Sequence, residues 1–255
     1  MRTLVLSIGN TSVSGGVFAE GKRVAPFRIP LRDGAGRSVS VRHWIPPVRG
    51  KIERIALCSV VPKLTGPLVR EVRRRFGVTP RVLTADNVST LKIGYRNPRV
   101  LGVDRIAAAL GARELVGARN VIVVDCGTAT TVTALRRDGV ILGGAIFPGL
   151  ALWSQMLAQR TAQLPEVPLR RPRAALGRSP REALQSGIFH GHVGAVRELV
   201  GRIRRESFGR GKAIVIATGG NLKWLSGERL FSRGIPDLVL IGLKRFSKME
   251  EPPRL

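Results

Sequence analysis

Two segments of this 255-residue chain place a glycine and hydroxyl or amide side chains directly after an apolar strand. The first runs through Ser7, Ile8, Gly9, Asn10, Thr11, Ser12, Val13 and Ser14, and the second, about half a chain later, covers 125–131. A turn at glycine exposes backbone N–H groups, which form a seat for phosphate oxygens. The segments differ at one position, where the second has the carboxylate Asp125 and the first has Ser7. This repetition predicts a duplicated fold that closes on one nucleotide.

The elements that must position these turns alternate between strand and helix, which predicts α/β layering. We expect strands at 3–6, 13–18, 24–29, 55–60, 81–84 and 213–217, another beginning at 121, and a turn over 19–21. Helices are expected at 64–76, 104–115, 150–159, 182–205 and 238–246. The segment 161–180 is rich in proline and arginine and is expected to run over the surface. The repeat divides the chain into a lobe at 1–115 and a lobe at 116–255.

The charge of the chain is extreme, with 43 Lys and Arg residues against 17 Asp and Glu and a net charge of +26. Such a surface attracts polyanions, so nucleic-acid binding is one interpretation. A general bias toward arginine codons is the other, and we favour it because the arginine clusters are scattered along the chain. Aromatic residues make up 5% of the chain, which leaves little material for stacking bases, and no nucleic-acid-binding motif occurs.

The remaining composition indicates a cytoplasmic protein. Apolar runs fall short of the ~20 residues that span a bilayer, and polar residues interrupt the N-terminal apolar stretch too early for a signal peptide. Cys58 and Cys126 have no metal-ligand or disulfide spacing, which favours a reducing compartment. His43, His190 and His192 also lack metal-ligand spacing, so packing or surface roles are expected for them.

An ordered set of motifs across most of the chain resembles the type III pantothenate kinase family. The set comprises Gly9-Asn10-Thr11, Ser59-Val60-Val61-Pro62, Tyr95 with Asn97-Pro98, Gly102-Val103-Asp104-Arg105, Asp125 to Thr131, Gly143-Gly144 with Pro148-Gly149, Gly177-Arg178, Ser186-Gly187, Thr218-Gly219-Gly220 and Pro236-Asp237-Leu238. One glycine turn alone is a weak signal, whereas the ordered set is specific.

The resemblance implies a duplicated actin-like, sugar-kinase (ribonuclease H-like) fold with two lobes around a central cleft. It implies ATP-dependent phosphorylation of pantothenate to 4′-phosphopantothenate, the first step toward coenzyme A, by a homodimer with Mg²⁺ and a monovalent cation, K⁺ or NH₄⁺. By position, Asp104 corresponds to the catalytic base and Asp125 to the monovalent-cation ligand. The phosphate contacts correspond to the segment from Ser7 to Ser14 and Thr128, and the pantothenate contacts to Tyr95, Gly102, Val103, Asp104, Arg105 and position 180.

Asp104 also has a purely structural interpretation. Aspartate is a preferred N-cap residue, and this one stands at the start of the alanine-rich helix expected at 104–115. A capping carboxylate has a lowered pKa and is a weak base, although a loose phosphoryl-transfer transition state asks little of its base. The two roles are compatible.

Two positions depart from the family pattern. The family has Asp where this chain has Ser7, and Thr where it has Pro180, which offers neither a hydroxyl nor an N–H group and suits the first turn of a helix. Because Ser7 offers no charge to a metal, we expect a loss of tenfold to a thousandfold in rate, roughly 1.4–4 kcal/mol of barrier. A catalytically weak or inactive paralogue with a binding or regulatory role is therefore the alternative.

Overall fold

The computed structural model describes residues 1–19, 22–48 and 50–250, which form two compact units. The first unit comprises the described residues of Met1–Gly117 and Leu238–Leu255, and the second comprises Ala118–Asp237. Part of the turn expected over 19–21 lies outside the described residues. Each unit combines a β-sheet with α-helices, which confirms the α/β prediction.

The sheet of the first unit contains β1 (Arg2–Ile8), β2 (Ser12–Ala19), β3 (Lys22–Pro30), β4 (Arg54–Ser59) and β5 (Arg81–Val82). Its strand order is β3-β2-β1-β4-β5. Strands β1, β2 and β3 are antiparallel, whereas β4 and β5 continue the sheet in parallel with β1. A two-residue strand, β6, follows at Lys92–Ile93. Leu4 and Leu6 of β1 are fully buried, so the apolar strand predicted there forms the centre of a core.

The second unit repeats this plan with β7 (Val121–Cys126), β8 (Ala129–Leu135), β9 (Val140–Pro148), β10 (Ile214–Thr218) and β11 (Arg233–Gly234). Strands β7, β8 and β9 are antiparallel, and β10 and β11 add in parallel beside β7. The order β9-β8-β7-β10-β11 therefore matches β3-β2-β1-β4-β5 strand for strand. The duplication predicted from the two glycine turns is confirmed at the level of topology.

The described residues form six α-helices and two short 3-10 helices. The α-helices are α1 (Pro62–Phe76), α2 (Val103–Val116), α3 (Leu150–Arg160), α4 (Pro180–Phe208), α5 (Leu222–Leu225) and α6 (Leu238–Phe246), and the 3-10 helices are Val41–His43 and Pro98–Val100. None of the α-helices in the described part of the chain is both long and apolar enough to cross a membrane.

Helix α4 begins at Pro180, two residues before the start expected from the sequence, and its first turn is capped. The Ser179 hydroxyl accepts a hydrogen bond from the Glu182 N–H at 3.3 Å, and the Glu182 carboxylate accepts one from the Arg178 N–H at 2.8 Å. This is a variant of the capping box in which the Glu182 carboxylate reaches the residue before the N-cap, and Pro180 occupies the first turn, where its missing N–H would have no helical partner. The interpretation of Pro180 as a first-turn proline is confirmed.

Helix α6 packs with the first unit, although the sequence division at residue 115 placed it in the second lobe. Gly111 of α2 lies against the Leu238 carbonyl, and Gly242 of α6 lies against the Ala107 carbonyl, with no room for a Cβ atom at either glycine. Two helices approach this closely only where both present glycine, a long-range match that periodicity does not reveal. The chain thus returns to its first unit at the end.

We predict that Gly242→Ala lowers the free energy of unfolding by about 2 kcal/mol, because the added Cβ must push α6 away from α2. The matched control is Gly194→Ala in α4, an exposed site where the described residues leave open space for a methyl group. That change should stabilise the protein by about 0.5–1 kcal/mol through helix propensity. Urea unfolding followed by circular dichroism measures both, and an unchanged Gly242→Ala protein would contradict the close helix contact.

Candidate functional site

The first glycine turn joins β1 to β2 and is closed by its own backbone. The Gly9 N–H donates to the Ser12 carbonyl at 2.9 Å. Asn10 and Thr11, at the tip, are both exposed. The backbone of this turn is therefore held in one shape while its tip faces solvent, as a phosphate seat requires.

Below the tip, the hairpin alternates buried and half-buried pairs. Ile8 pairs with Val13, and both side chains are buried, so they anchor the turn to the core. Ser7 pairs with Ser14, and both are half-buried on the other face of the hairpin. The predicted segment from Ser7 to Ser14 is thus brought together as one hairpin end with hydroxyl groups on one face.

The second glycine turn joins β7 to β8 and is also closed by a glycine N–H, in a turn one residue shorter than the first. The Gly127 N–H donates to the Ala129 carbonyl at 3.2 Å, and Thr128 is exposed at the tip. Asp125 pairs with Thr131 across the hairpin, in the register position that Ser7 and Ser14 occupy in the first unit. The two turns are structural equivalents, so Ser7 and Asp125 are equivalent positions.

Sequence reasoning missed the residues that brace the second turn. The Asn221 backbone N–H donates to the Cys126 carbonyl at 2.9 Å, and the Asn221 side-chain amide donates to the Gly127 carbonyl at 3.0 Å. The Gly149 N–H donates to the Thr128 carbonyl at 3.0 Å, and a Cβ at Gly149 would collide with the turn. The motif Gly219-Gly220 before Asn221 was visible in the sequence, but its contact with residues almost a hundred positions earlier was not.

Asp125 is half-buried at the end of β7, beside the end of β10. Its Oδ1 lies against Gly219, whose φ of +94° and lack of space both require glycine. Within the described residues no group of three or more His, Cys, Asp or Glu side chains lies close enough to hold a metal ion. A cation here would therefore depend on Asp125 together with oxygens of a ligand.

Ser7 lies beside the buried thiol of Cys58 on the parallel neighbour strand β4. The Cys58 thiol donates to the Ser7 hydroxyl at 3.5 Å. Burial, opposed by the hydrogen bond to Ser7 and reinforced by the negative charge of Asp104, raises the pKa of Cys58 to about 12. The end of β1, Cys58 and Asp104 thus form one neighbourhood in the first unit, in which the thiol is neutral.

Asp104 lies in the first turn of α2, but it is not the N-cap, which is Gly102. Its Oδ1 accepts a hydrogen bond from the Arg105 N–H at 2.8 Å, and a Cβ at Gly102 would lie 2.6 Å from the same oxygen. Burial raises the pKa of Asp104, against the opposing effects of this hydrogen bond and the Arg105 charge. The lowered pKa expected of a capping carboxylate is therefore corrected, because loss of water outweighs the local hydrogen bonds.

Arg105 is buried, 6% exposed, and its guanidinium donates to the Tyr95 hydroxyl at 2.7 Å. The guanidinium carbon also lies 5.7 Å from the centre of the Tyr95 ring, within cation–π range. Tyr95, Gly102, Val103, Asp104 and Arg105 therefore form one group at the start of α2. This group places a fixed positive charge next to a carboxylate with a raised pKa.

Pro180, the remaining candidate, belongs to the second unit. It is exposed at the start of α4 and lines an apolar groove of about 630 Å³ with residues of α3 and α4. Trp153 and Met156 contribute the largest side chains of this groove. Pro180 presents only carbon atoms here, as its chemistry requires.

His192 of α4 packs against the second hairpin and contacts Thr130 of β8. It is fully buried, lies 2.9 Å from the Thr130 hydroxyl of β8, and packs beside the rings of Phe147 and Trp153. Burial lowers its pKa to about 4. The packing role expected for this histidine is confirmed, and His190, two residues earlier, is exposed.

The fold is shared with solved structures of low sequence identity. A conserved Baf family protein from Campylobacter jejuni matches with a TM-score of 0.59 and 19% identity, over 95% of this chain and 96% of that one. The activator of the 2-hydroxyisocaproyl-CoA dehydratase from Clostridium difficile, solved with bound ADPNP, matches with a TM-score of 0.51 and 12% identity, over 97% and 94%. These matches and the duplicated sheets define the actin-like fold class predicted from the sequence.

Sequence comparison identifies the family. The family model described as "Type III pantothenate kinase" matches residues 3–202. A type III pantothenate kinase of Legionella pneumophila (strain Corby) is 37% identical, over 96% of this chain and 98% of that protein. One from Dehalococcoides mccartyi (strain CBDB1) is 36% identical, over 98% and 97%. The chain belongs to the type III pantothenate kinase family, and the resemblance predicted from the motifs is confirmed.

We predict that acidification destabilises this protein through His192. Its folded pKa of about 4 lies below the ordinary 6.5, so the unfolded chain binds the proton first and stability falls as pH drops from 6.5 toward 4. The full effect is about 3 kcal/mol. His192→Gln should remove this part of the pH dependence of the free energy of unfolding, whereas His190→Gln should leave it. Equal slopes for the two variants between pH 6.5 and 4 would contradict the assignment.

Proposed function

We propose that this protein transfers the γ-phosphoryl group of ATP to pantothenate, giving 4′-phosphopantothenate, the first step of coenzyme A synthesis. Membership of the family supports the overall reaction. The observation that carries the assignment to this chain's own residues is the carboxylate of Asp104, with its raised pKa, beside Tyr95 and Arg105. A carboxylate of this kind, next to a fixed cation, suits an anionic alcohol as the phosphoryl acceptor.

Asp104 acts as the base in this proposal. The pantothenate hydroxyl oxygen forms the new bond to the γ-phosphorus while the bond to the bridging oxygen of ADP breaks, and the hydroxyl proton passes to the Asp104 carboxylate. A raised pKa makes that carboxylate a better proton acceptor than an ordinary aspartate, provided that it is ionised at the working pH. Because the phosphoryl-transfer transition state is loose, it needs only a weak base. Positioning of the hydroxyl therefore contributes more to the rate than proton transfer does.

Arg105 recognises the charge of the substrate. Its buried guanidinium is held by the Tyr95 hydroxyl, which leaves little freedom for the side chain to reorient. A guanidinium in this setting forms strong charge-assisted hydrogen bonds with a carboxylate such as that of pantothenate. Gly102 and Val103 supply backbone contacts, and Pro180 supplies an apolar one in place of the polar contact expected from threonine.

The glycine turns bind the phosphates of ATP. The segment from Ser7 to Ser14 and the turn at Thr128 offer backbone N–H groups and hydroxyls, while Asp125 offers the carboxylate for K⁺ or NH₄⁺. Mg²⁺ usually binds through one or two protein carboxylates together with phosphate oxygens. The two turns offer one carboxylate, Asp125, which is the smallest number that would hold the ion. When bound, the metal neutralises charge that develops on the phosphates.

Ser7 weakens this site, and it favours a second candidate function. At the position equivalent to Asp125, Ser7 contributes a neutral hydroxyl that accepts from Cys58. If the missing charge abolishes turnover, the chain is a paralogue with a binding or regulatory role. The motifs around Asp104 and Thr128 are retained, so we place the kinase first.

We further propose that the protein acts as a homodimer in the cytoplasm. The resemblance implies a dimer, and the apolar groove at Trp153, Met156 and Pro180 is a surface that a second copy would remove from water. Met156 is 47% exposed, which is unusual for so large an apolar side chain. Both cysteines are buried free thiols, as a reducing compartment favours.

We predict that Ser7→Asp raises the kinase rate at least tenfold, about 1.4 kcal/mol of barrier, because it supplies the missing charge for the metal. Product is measured as 4′-phosphopantothenate with ATP, Mg²⁺, K⁺ and pantothenate. Ser7→Asn is the matched control, with the same shape and no charge, and should stay near the wild-type rate. Equal rates for Ser7→Asp and Ser7→Asn would contradict the role of charge at this position.

We predict that Asp104→Asn lowers kcat by about a hundredfold or more while the KM for ATP changes little, since only the base is lost. In the wild type, kcat/KM for pantothenate should fall as pH drops through the raised pKa of Asp104, at a higher pH than for an ordinary aspartate. Asp86→Asn, an exposed site in the same unit, is the control. Full activity of Asp104→Asn would end the assignment of this residue as the base.

A further inference from the structure

A strongly basic cavity lies in the second unit, outside the residues discussed so far. It has a volume of about 820 Å³ and is lined by five cationic side chains, those of Arg119, Arg137, Arg204, Arg210 and Lys212. All five side chains are exposed, and no aspartate or glutamate is among the lining residues that the structure describes. The positive charge is therefore concentrated in one concave surface.

The cavity lies at the opposite end of the sheet from the second glycine turn. Arg119 precedes β7 and Lys212 precedes β10, and these two strands are parallel. Asp125 and Gly219 lie at the other ends of the same strands. Strands rise about 3.3 Å per residue, so the six residues of β7 separate the two ends by roughly 16 Å. The basic cavity is thus distinct from the candidate nucleotide turn.

Asn120 holds the walls of the cavity in place. Its side-chain oxygen accepts a hydrogen bond from the Arg137 N–H at 2.9 Å, which fixes the turn between β8 and β9. Its backbone carbonyl accepts from the Ile214 N–H at 3.0 Å, which fixes the segment before β10. The backbone that carries Arg119, Arg137 and Lys212 is therefore tied together by one residue.

Four of the five cationic side chains that line the cavity have no acidic partner in the described part of the chain. Asp138, beside Arg137, is already bound by the Arg136 guanidinium through both carboxylate oxygens, at 3.0 and 2.7 Å. Among the described residues, Arg119, Arg204, Arg210 and Lys212 form no ion pair, whereas other arginines of the surface, such as Arg37, do. Like charges that line one cavity repel one another, and a bound polyanion would relieve that repulsion.

We infer that this cavity is a second anion site that takes a chain of phosphate groups. Arginine and lysine supply the donors that phosphate oxygens accept, and several cations in one concavity match several phosphates in a row. The lining contains no aromatic side chain in the described part of the chain, so bases would not stack there. The ligand chemistry is an oligophosphate, either free inorganic polyphosphate or the backbone of a single-stranded nucleic acid. This inference does not depend on the kinase assignment.

Two matched triple variants test the site. The cavity variant combines Arg119→Gln, Arg204→Gln and Lys212→Gln, and the control variant combines Lys63→Gln, Arg70→Gln and Arg73→Gln on α1. Each removes two arginines and one lysine from exposed positions, so the change in net charge is the same. The probes are sodium tripolyphosphate, followed by calorimetry, and a fluorescein-labelled oligothymidylate, followed by anisotropy at several salt concentrations.

We expect the cavity variant to weaken the binding of at least one probe tenfold or more, and the control variant to change it less than about twofold. For the oligothymidylate, the slope of log K against log salt should fall by about 2, for three lost phosphate contacts on a single strand. An effect on tripolyphosphate alone identifies a free oligophosphate as the ligand, and an effect on the oligothymidylate identifies a nucleic-acid backbone. Tripolyphosphate can also bind at the glycine turns, which both variants retain. Only the difference in affinity between the two variants therefore measures binding at the cavity.

Equal weakening in both variants would overturn the inference, because the binding would then come from diffuse charge. The absence of binding of either probe to the wild type would overturn it as well. Both variants are checked by their thermal unfolding midpoints. If the cavity variant unfolds, the double variant Arg204→Gln with Lys212→Gln replaces it. Its control is then Arg70→Gln with Lys63→Gln. We again expect weaker probe binding in the cavity variant than in the control.

Discussion

A half-buried carboxylate at the start of α2 is the feature on which the proposed chemistry of the first unit depends. Asp104 loses hydration, and one backbone N–H and the Arg105 charge return only part of what it loses, so its pKa rises. The position is fixed by backbone contacts rather than by the side chain itself. Gly102 leaves room for the Asp104 oxygen, while Gly111 and Gly242 let α6 lock α2 in place. The placement of the proposed proton acceptor thus depends on glycines elsewhere in the chain.

The two hairpins share a similar backbone geometry but differ in the charge of one side chain. In each, a glycine N–H closes the turn on a backbone carbonyl, and the strand order around it is the same, so the proposed seat for phosphate is formed by the backbone. Charge is carried by one side chain at equivalent positions, Asp125 in one hairpin and Ser7 in the other. The exchange of a carboxylate for a hydroxyl leaves the strand pairing around this position the same in both hairpins, and we propose that it alters the handling of cation and nucleotide.

The sequence was sufficient for features that are local or repeated. Apolar strands ending in glycine turns predicted both hairpins, and the motifs predicted the family. It was insufficient where distant segments meet. The return of α6 to the first unit depends on Gly111 meeting Gly242, and the second turn depends on Asn221 reaching Gly127. The pKa of Asp104 was expected to be low from its helix position, but burial, which requires the tertiary structure, reverses the direction. The roles of the individual site residues remain predictions.

The state of Asp104 tests the central claim most directly. Carbon-13 NMR of the aspartate carboxyl groups, with the Asp104 resonance assigned by its loss in Asp104→Asn, follows its titration in the folded protein. A pKa clearly above the usual 3.8 is the predicted result, since burial outweighs the hydrogen bond and the charge of Arg105. A value at or below 3.8 would mean that Asp104 is a solvated helix-terminal carboxylate, and the account of it as a partly desolvated carboxylate with a raised pKa would be contradicted.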